Sequence, residues 1–153
     1  MNPWYLLYRK SGYKSTIQRI ESLGVKVFQP MADKVVPRKD CRSVRHSQHA
    51  LFPSYLFLSF DINKVHTTTV TRVPGAVTFV RFDSSPCIVP PDVIQALKCQ
   101  PYLVYNQDDT SVDYCNISPA LMDSIQHIVA IPDRCVRETA LMNLINALQN
   151  TRH

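Results

Sequence analysis

The segment Leu51–Asp61, LFPSYLFLSFD, limits what this chain can fold into more than any other stretch. Successive side chains of a strand point to opposite faces. Tyr55, Phe57 and Ser59 therefore share one face, and Leu56, Leu58 and Phe60 share the other. A strand that is apolar on both sides has to lie inside a sheet with another layer packed on each face.

The flanking sequence supplies partners for it. Trp4–Tyr8 is a short aromatic and aliphatic run between Pro3 and Arg9-Lys10, and reads as a buried strand. Tyr13, Ile17, Ile20 and Gly24 follow at i, i+4, i+7 and i+11, one face of a helix with glycine at its end. Val25–Phe28 reads as a second strand. The polar, basic span Val35–His49 reads as an extended hairpin with its tip near Lys39–Arg42. Ile62–Val70 is expected to be a short helix, Pro74-Gly75 a turn, and Val77–Phe82 and Ile88–Val89 further strands. Pro91 opens a closing helix that carries Val93, Ile94 and Leu97.

Beyond residue 100 the pattern changes. Gln100–Asn116 lacks periodicity and carries Asp108, Asp109 and Asp113, which marks a linker. Ser118-Pro119 then sets up a helix start, and Leu121, Ile125, Ile128 and Val129 form its apolar face. Pro132-Asp133 restarts a second helix with a stripe of Leu141, Leu144, Ile145 and Leu148. A two-helix hairpin cannot bury both stripes by itself, and isolated helices of this length are marginal in water, so the hairpin should dock on the first part of the chain.

Charge is unevenly placed. Met1–Ala50 holds ten Lys/Arg against three Asp/Glu, whereas Leu51–His153 holds seven against nine. A cationic first third suits a polyanion partner, since each neutralised phosphate releases counterions, and it equally suits a solvated surface. The five cysteines show no CxxC spacing and their number is odd, as expected for reduced thiols. The N-terminus has no charged leader and no stretch reaches membrane-spanning length, so a soluble, cytoplasmic monomer without membrane contact is expected. Neither a phosphate loop nor a Ser/His/Asp order is present. His46 and His49 form HxxH near Cys41, but no second ligand pair accompanies them. The sequence therefore predicts no enzyme, no cofactor and no metal.

WYLLYRKSG at the start, Pro30-Met31, LFPSYLFLSFD, HTTT at His66–Thr69, FVRF at Phe79–Phe82 and IVP at Ile88–Pro90 occur in an order that resembles the N-terminal domain of the NusG family. HTTT placed after this strand, and the terminal LMNLIN at Leu141–Asn146, resemble its specialised RfaH branch. The resemblance implies an α+β fold. Residues 1–100 would form an antiparallel sheet flanked by helices, 101–116 a linker, and 117–150 a docked α-hairpin. It also implies a transcription elongation and antitermination factor. Tyr8, Phe52, Pro53, Tyr55 and Phe57 would meet the clamp helices of RNA polymerase, with Leu56 and Leu58 facing the core. His66, Thr67 and Thr68 would meet the gate loop. Lys10, Tyr13, Lys14, Thr71 and Arg72 would read a non-template DNA strand, although Val73-Pro74 departs from the polar pattern of that branch. Arg38, Lys39, Arg42 and Arg45 on the hairpin would face either upstream duplex DNA or solvent.

In that branch the terminal α-hairpin covers the polymerase face and can refold into a small β-barrel that contacts a ribosomal protein. Here the three glycines are Gly12, Gly24 and Gly75, with none beyond, although tight barrel turns favour glycine. The tail is therefore expected to stay helical, with Leu141, Leu144, Ile145 and Leu148 against Tyr55 and Phe57, and no ribosomal contact is expected. Arg137 matches an arginine that pairs with a first-domain acid in the branch, but His49 stands in the acid's place and a different fastening is expected. The rival reading is a stand-alone module for single-stranded nucleic acid, resting on the basic first third.

Overall fold

The computed structural model describes residues 2–10, 13, 15–37, 44–82, 84–99, 103–104 and 117–150, with backbone alone for 33–37, 44–48, 103–104 and 150. The fold is α+β. Strands β1 (Trp4–Arg9), β2 (Lys26–Phe28), β5 (Tyr55–Ser59), β6 (Ala76–Phe79) and β7 (Ile88–Val89) build a five-stranded antiparallel sheet. Its order is β2-β5-β1-β6, with β7 pairing with β1. A second sheet is formed by β3 (Met31–Pro37), β4 (Val44–Ala50) and β8 (Leu103–Val104) in the order β4-β3-β8. Helices α1 (Thr16–Glu21), α2 (Thr67–Thr71), α3 (Pro91–Lys98), α4 (Pro119–Val129) and α5 (Arg134–Asn150) complete the chain.

The pairing of β1 with β5 organises both cores. Leu6 lies opposite Phe57, Leu7 opposite Leu56, and Tyr5 opposite Leu58. Because side chains alternate, Tyr5, Leu7, Leu56 and Leu58 point together to one face, where they pack with Ile20, Val25, Val70 and Phe79 around α1 and α2. Leu6 and Phe57 point to the other face, where α3, α4 and α5 lie. Both faces of the central pair are thus covered, as its apolar alternation requires.

Local chemistry trims several expected elements. The apolar run from Leu51 becomes a strand only at Tyr55, because Leu51–Ser54 turns and the Tyr55 N–H bonds back to the Phe52 carbonyl at 3.0 Å. The helix expected from Ile62 begins at Thr67. Before it, the Asp61 carboxylate accepts the Asn63 N–H at 2.9 Å, an Asx turn that competes with helix. Tyr13 precedes α1 instead of lying on it, since the Thr16 hydroxyl bonds to the Pro74 carbonyl at 2.8 Å and the helix starts there. Gly24, at φ +86°, turns the chain from α1 into β2. Leu103 and Val104, within the span read as linker, pair with β3 as β8. The hairpin tip at Lys39–Arg42, with Arg38, lies outside the described residues, as do the side chain of Arg45 and most of the linker.

Leu58 is fully buried on the α1/α2 face. Leu58→Ala is expected to cost about 2–5 kcal/mol in urea unfolding, the range for a buried leucine. Ile62→Ala, at an exposed position, is expected to cost less than about 0.5 kcal/mol.

Candidate functional site

The face carrying Leu6 and Phe57 is where the expected anchor residues meet. Tyr8 lies opposite Tyr55 in the β1–β5 register, and their rings meet edge to face with centroids 5.8 Å apart. Phe57 lies against Phe28 at 5.9 Å. Phe52 arrives from the turn before β5. Phe52 and Phe57 are fully buried, Pro53 and Tyr55 are half-buried, and Tyr8 is 41 % exposed. Burial, then the neighbouring Glu138 and Tyr8, pushes the Tyr55 phenol above its ordinary pKa range.

The rings are covered by the end of the chain. Leu141 and Ile145 are buried in the cluster that holds Phe52 and Phe57, with Leu144 and Leu148 half-buried beside them. Ile125, Ile128 and Val129 of α4, and Val93, Ile94 and Leu97 of α3, belong to the same cluster. Each such aliphatic side chain contributes roughly 1.5–3 kcal/mol when removed from water.

Polar bonds fix where the cover lies, several of them to the Leu51–Ser54 turn and one to β7. Arg137, buried, donates from Nε to the Leu51 carbonyl at 2.7 Å and from a terminal nitrogen to the Ile131 carbonyl at 2.8 Å. Glu138, also buried, accepts from the Ser54 N–H at 3.2 Å, the Ser54 hydroxyl at 3.3 Å and Arg134 Nε at 3.0 Å. Arg134 also donates to the Ser54 hydroxyl at 3.1 Å. At the far end of α5, the Gln149 amide donates to the Ile88 carbonyl at 2.7 Å. The fastening sought between Arg137 and the His49 position therefore runs to the Leu51 backbone two residues further on, while His49 stands exposed on β4. A guanidinium facing a histidine gains no ion pair, whereas a backbone carbonyl accepts it directly. Sequence reasoning missed Glu138, Arg134, Ser54 and Gln149. The one available signal was Arg134 and Glu138 at i, i+4 beside an apolar stripe.

Two further groups of expected residues occupy other places. His66 caps α2, its Nδ1 accepting the Thr68 N–H at 3.3 Å and lying 2.8 Å from the Thr68 hydroxyl. His66 and Thr68 are exposed and Thr67 is half-buried. Lys10 and Tyr13 meet the turn after Arg72, since the Lys10 N–H donates to the Gly75 carbonyl at 2.8 Å and a Cβ at Gly75 would contact the Tyr13 side chain. Arg72 is exposed at the end of α2 and Thr71 half-buried, its hydroxyl bonded to the Thr68 carbonyl at 3.2 Å. Lys14 lies outside the described residues. Among the described residues no group of three or more His, Cys, Asp or Glu could hold a metal ion, and no helix is long and apolar enough to cross a membrane. Cys41 and the His46 side chain fall outside them.

The family model described as "Transcription termination factor nusG" matches residues 2–98, more than half of the chain and all of the five-stranded sheet. The chain belongs to the NusG family. Among solved structures it is similar to one described as "Domain interaction in Thermotoga maritima NusG", with 24% identity and a TM-score of 0.39. That similarity covers 63% of this chain and 55% of the Thermotoga maritima chain, so this chain spans little more than half the length of that relative. The NusG match stops at residue 98, which leaves α4 and α5 beyond it.

The Ser54 N–H depends on a carboxylate from α5. Glu138→Ala removes that charged acceptor and is expected to speed hydrogen exchange at the Ser54 amide by about tenfold or more. Unchanged protection in an NMR exchange series would show that the bond adds nothing there.

Proposed function

We propose that this NusG-family chain is a transcription elongation and antitermination factor of the RfaH kind, whose RNA polymerase face is covered by its own terminal helices. The reading rests on one observation. Leu141 and Ile145 are buried in the same apolar cluster as Phe52 and Phe57, the rings that the resemblance assigns to the polymerase clamp helices. Large aromatics make effective interface anchors because they bury much area with few rotatable bonds. One face serving two partners makes tail and polymerase mutually exclusive. The apparent affinity for polymerase then falls in proportion to the fraction of molecules that are open.

In this proposal residues 1–100 are the polymerase-binding unit, 101–116 the tether and 117–150 the cover. Tyr8, Phe52, Pro53, Tyr55 and Phe57 dock on the clamp helices. His66, Thr67 and Thr68 touch the gate loop, bridging the cleft and favouring the unpaused polymerase by population shift. Lys10, Tyr13, Lys14, Thr71 and Arg72 meet the non-template DNA strand, cations on phosphates and the ring on a base. Lack of glycine beyond Gly75 keeps the tail helical, and ribosome coupling is not part of the proposal.

Full-length Ile145→Asp, which places a charge in the apolar contact, is expected to bind purified RNA polymerase about tenfold more tightly than the unaltered chain. Adding Tyr8→Ala should take most of that gain away. Equal binding by the unaltered chain and Ile145→Asp would end the covering role. Tight, steeply salt-dependent binding to free single strands without polymerase would favour the stand-alone nucleic-acid module instead.

A further inference from the structure

At the end of β1, three separated segments are tied into one knot. The Thr16 side chain is fully buried, and its hydroxyl donates to the Pro74 carbonyl at 2.8 Å. The same hydroxyl lies 3.3 Å from the Tyr13 carbonyl. Gly75 holds φ at +93°, and its carbonyl accepts the Lys10 N–H at 2.8 Å. A Cβ at Gly75 would run into the Thr16 hydroxyl and would stand 2.8 Å from the Tyr13 Cβ and 3.1 Å from its Cγ. The Arg9 guanidinium reaches the Tyr13 carbonyl at 3.4 Å.

Two features of this knot have no use in the hydrophobic core. A fully buried hydroxyl is spent on fixing a surface turn. A glycine, doubly required by its φ and by its neighbours, lies directly beneath an aromatic side chain. Despite that contact, Tyr13 is 46 % exposed. The ring is therefore held at its root and left open to solvent, with Arg9 and Lys10 on one side of it in the chain and the turn following Arg72 against its base.

We infer that Thr16 and Gly75 are positioning residues that fix Tyr13 as a stacking platform for an unpaired base, an inference that rests on the proposed contact with the non-template strand. A base offers a flat π-face whatever its identity, so a ring held in place can stack on an unpaired base. Holding the ring in place before binding removes the cost of ordering it at contact. This also gives the Val73-Pro74-Gly75 segment a role: Pro74 supplies the carbonyl that Thr16 bonds, and Gly75 the space for the Tyr13 root.

The test uses the full chain and reconstituted elongation complexes whose unpaired non-template stretch carries either normal nucleotides or abasic sites. The unaltered chain is expected to bind the abasic complex about 5- to 150-fold more weakly, the range for losing one stacked base. Tyr13→Ala should bind both complexes alike, at the weaker level. Gly75→Ala and Thr16→Val should lose most of the difference, while Tyr13→Phe and Thr16→Ser should keep it. Because the readout is the response to the abasic strand, a general loss of stability would not reproduce it. Tyr13→Ala responding to abasic sites as the unaltered chain does would overturn the platform while leaving polymerase docking intact. Failure of the unaltered chain to bind either complex would instead overturn the proposed function.

Discussion

Phe57 sits opposite Leu6 across the β1–β5 pair, and the covering of that pair on both sides governs how the rest of the chain is used. On one side the cover is local: α1 and α2 come from within the sheet region and close over Leu56 and Leu58. On the other side the cover comes from later in the chain, from α3 and then from α4 and α5. The family match stops at residue 98, and α4 and α5, which complete this cover, lie beyond it. Leaving Phe52 and Phe57 in water would forfeit roughly 1.5–3 kcal/mol for each ring, which is why the tail docks there.

Apolar contact alone does not say where on the face a helix should lie. Arg137 and Glu138 supply that instruction by bonding the Leu51 carbonyl and the Ser54 N–H, which lie on either side of Phe52 and Pro53. Charges buried this way add little net stability, because desolvation offsets much of their attraction, but losing one partner strands the other. The tail and the sheet thus share an apolar cluster and are joined by specific polar bonds. Exposed Tyr8 remains at the edge of the covered area.

Much of this was legible in the sequence, for physical reasons that differ between elements. The alternation of Tyr55–Phe60 named both faces of β5 correctly, since only a two-sided burial explains apolar residues at consecutive positions. The stripes of α4 and α5 were equally clear, because Leu141, Leu144, Ile145 and Leu148 repeat at helical spacing. Boundaries were less visible where a side chain competes with the backbone: Asp61 delays α2, and Thr16 pulls Tyr13 off α1. The polar bonds were the least legible part. Arg137 could be singled out by resemblance, but its acceptor is a main-chain carbonyl, and carbonyls carry no signature in a sequence. The pairing of β8 with β3 was hidden for a similar reason, since two residues are too few for a period to emerge.

The fastening of α5 by Arg137 near its beginning and by Gln149 near its end has a geometric consequence. Those positions are separated by about 18 Å of helix at 1.5 Å per residue, too far apart to act as a single hinge. Loosening either bond alone leaves the helix fastened at its other end, so each can be lost without freeing the whole helix.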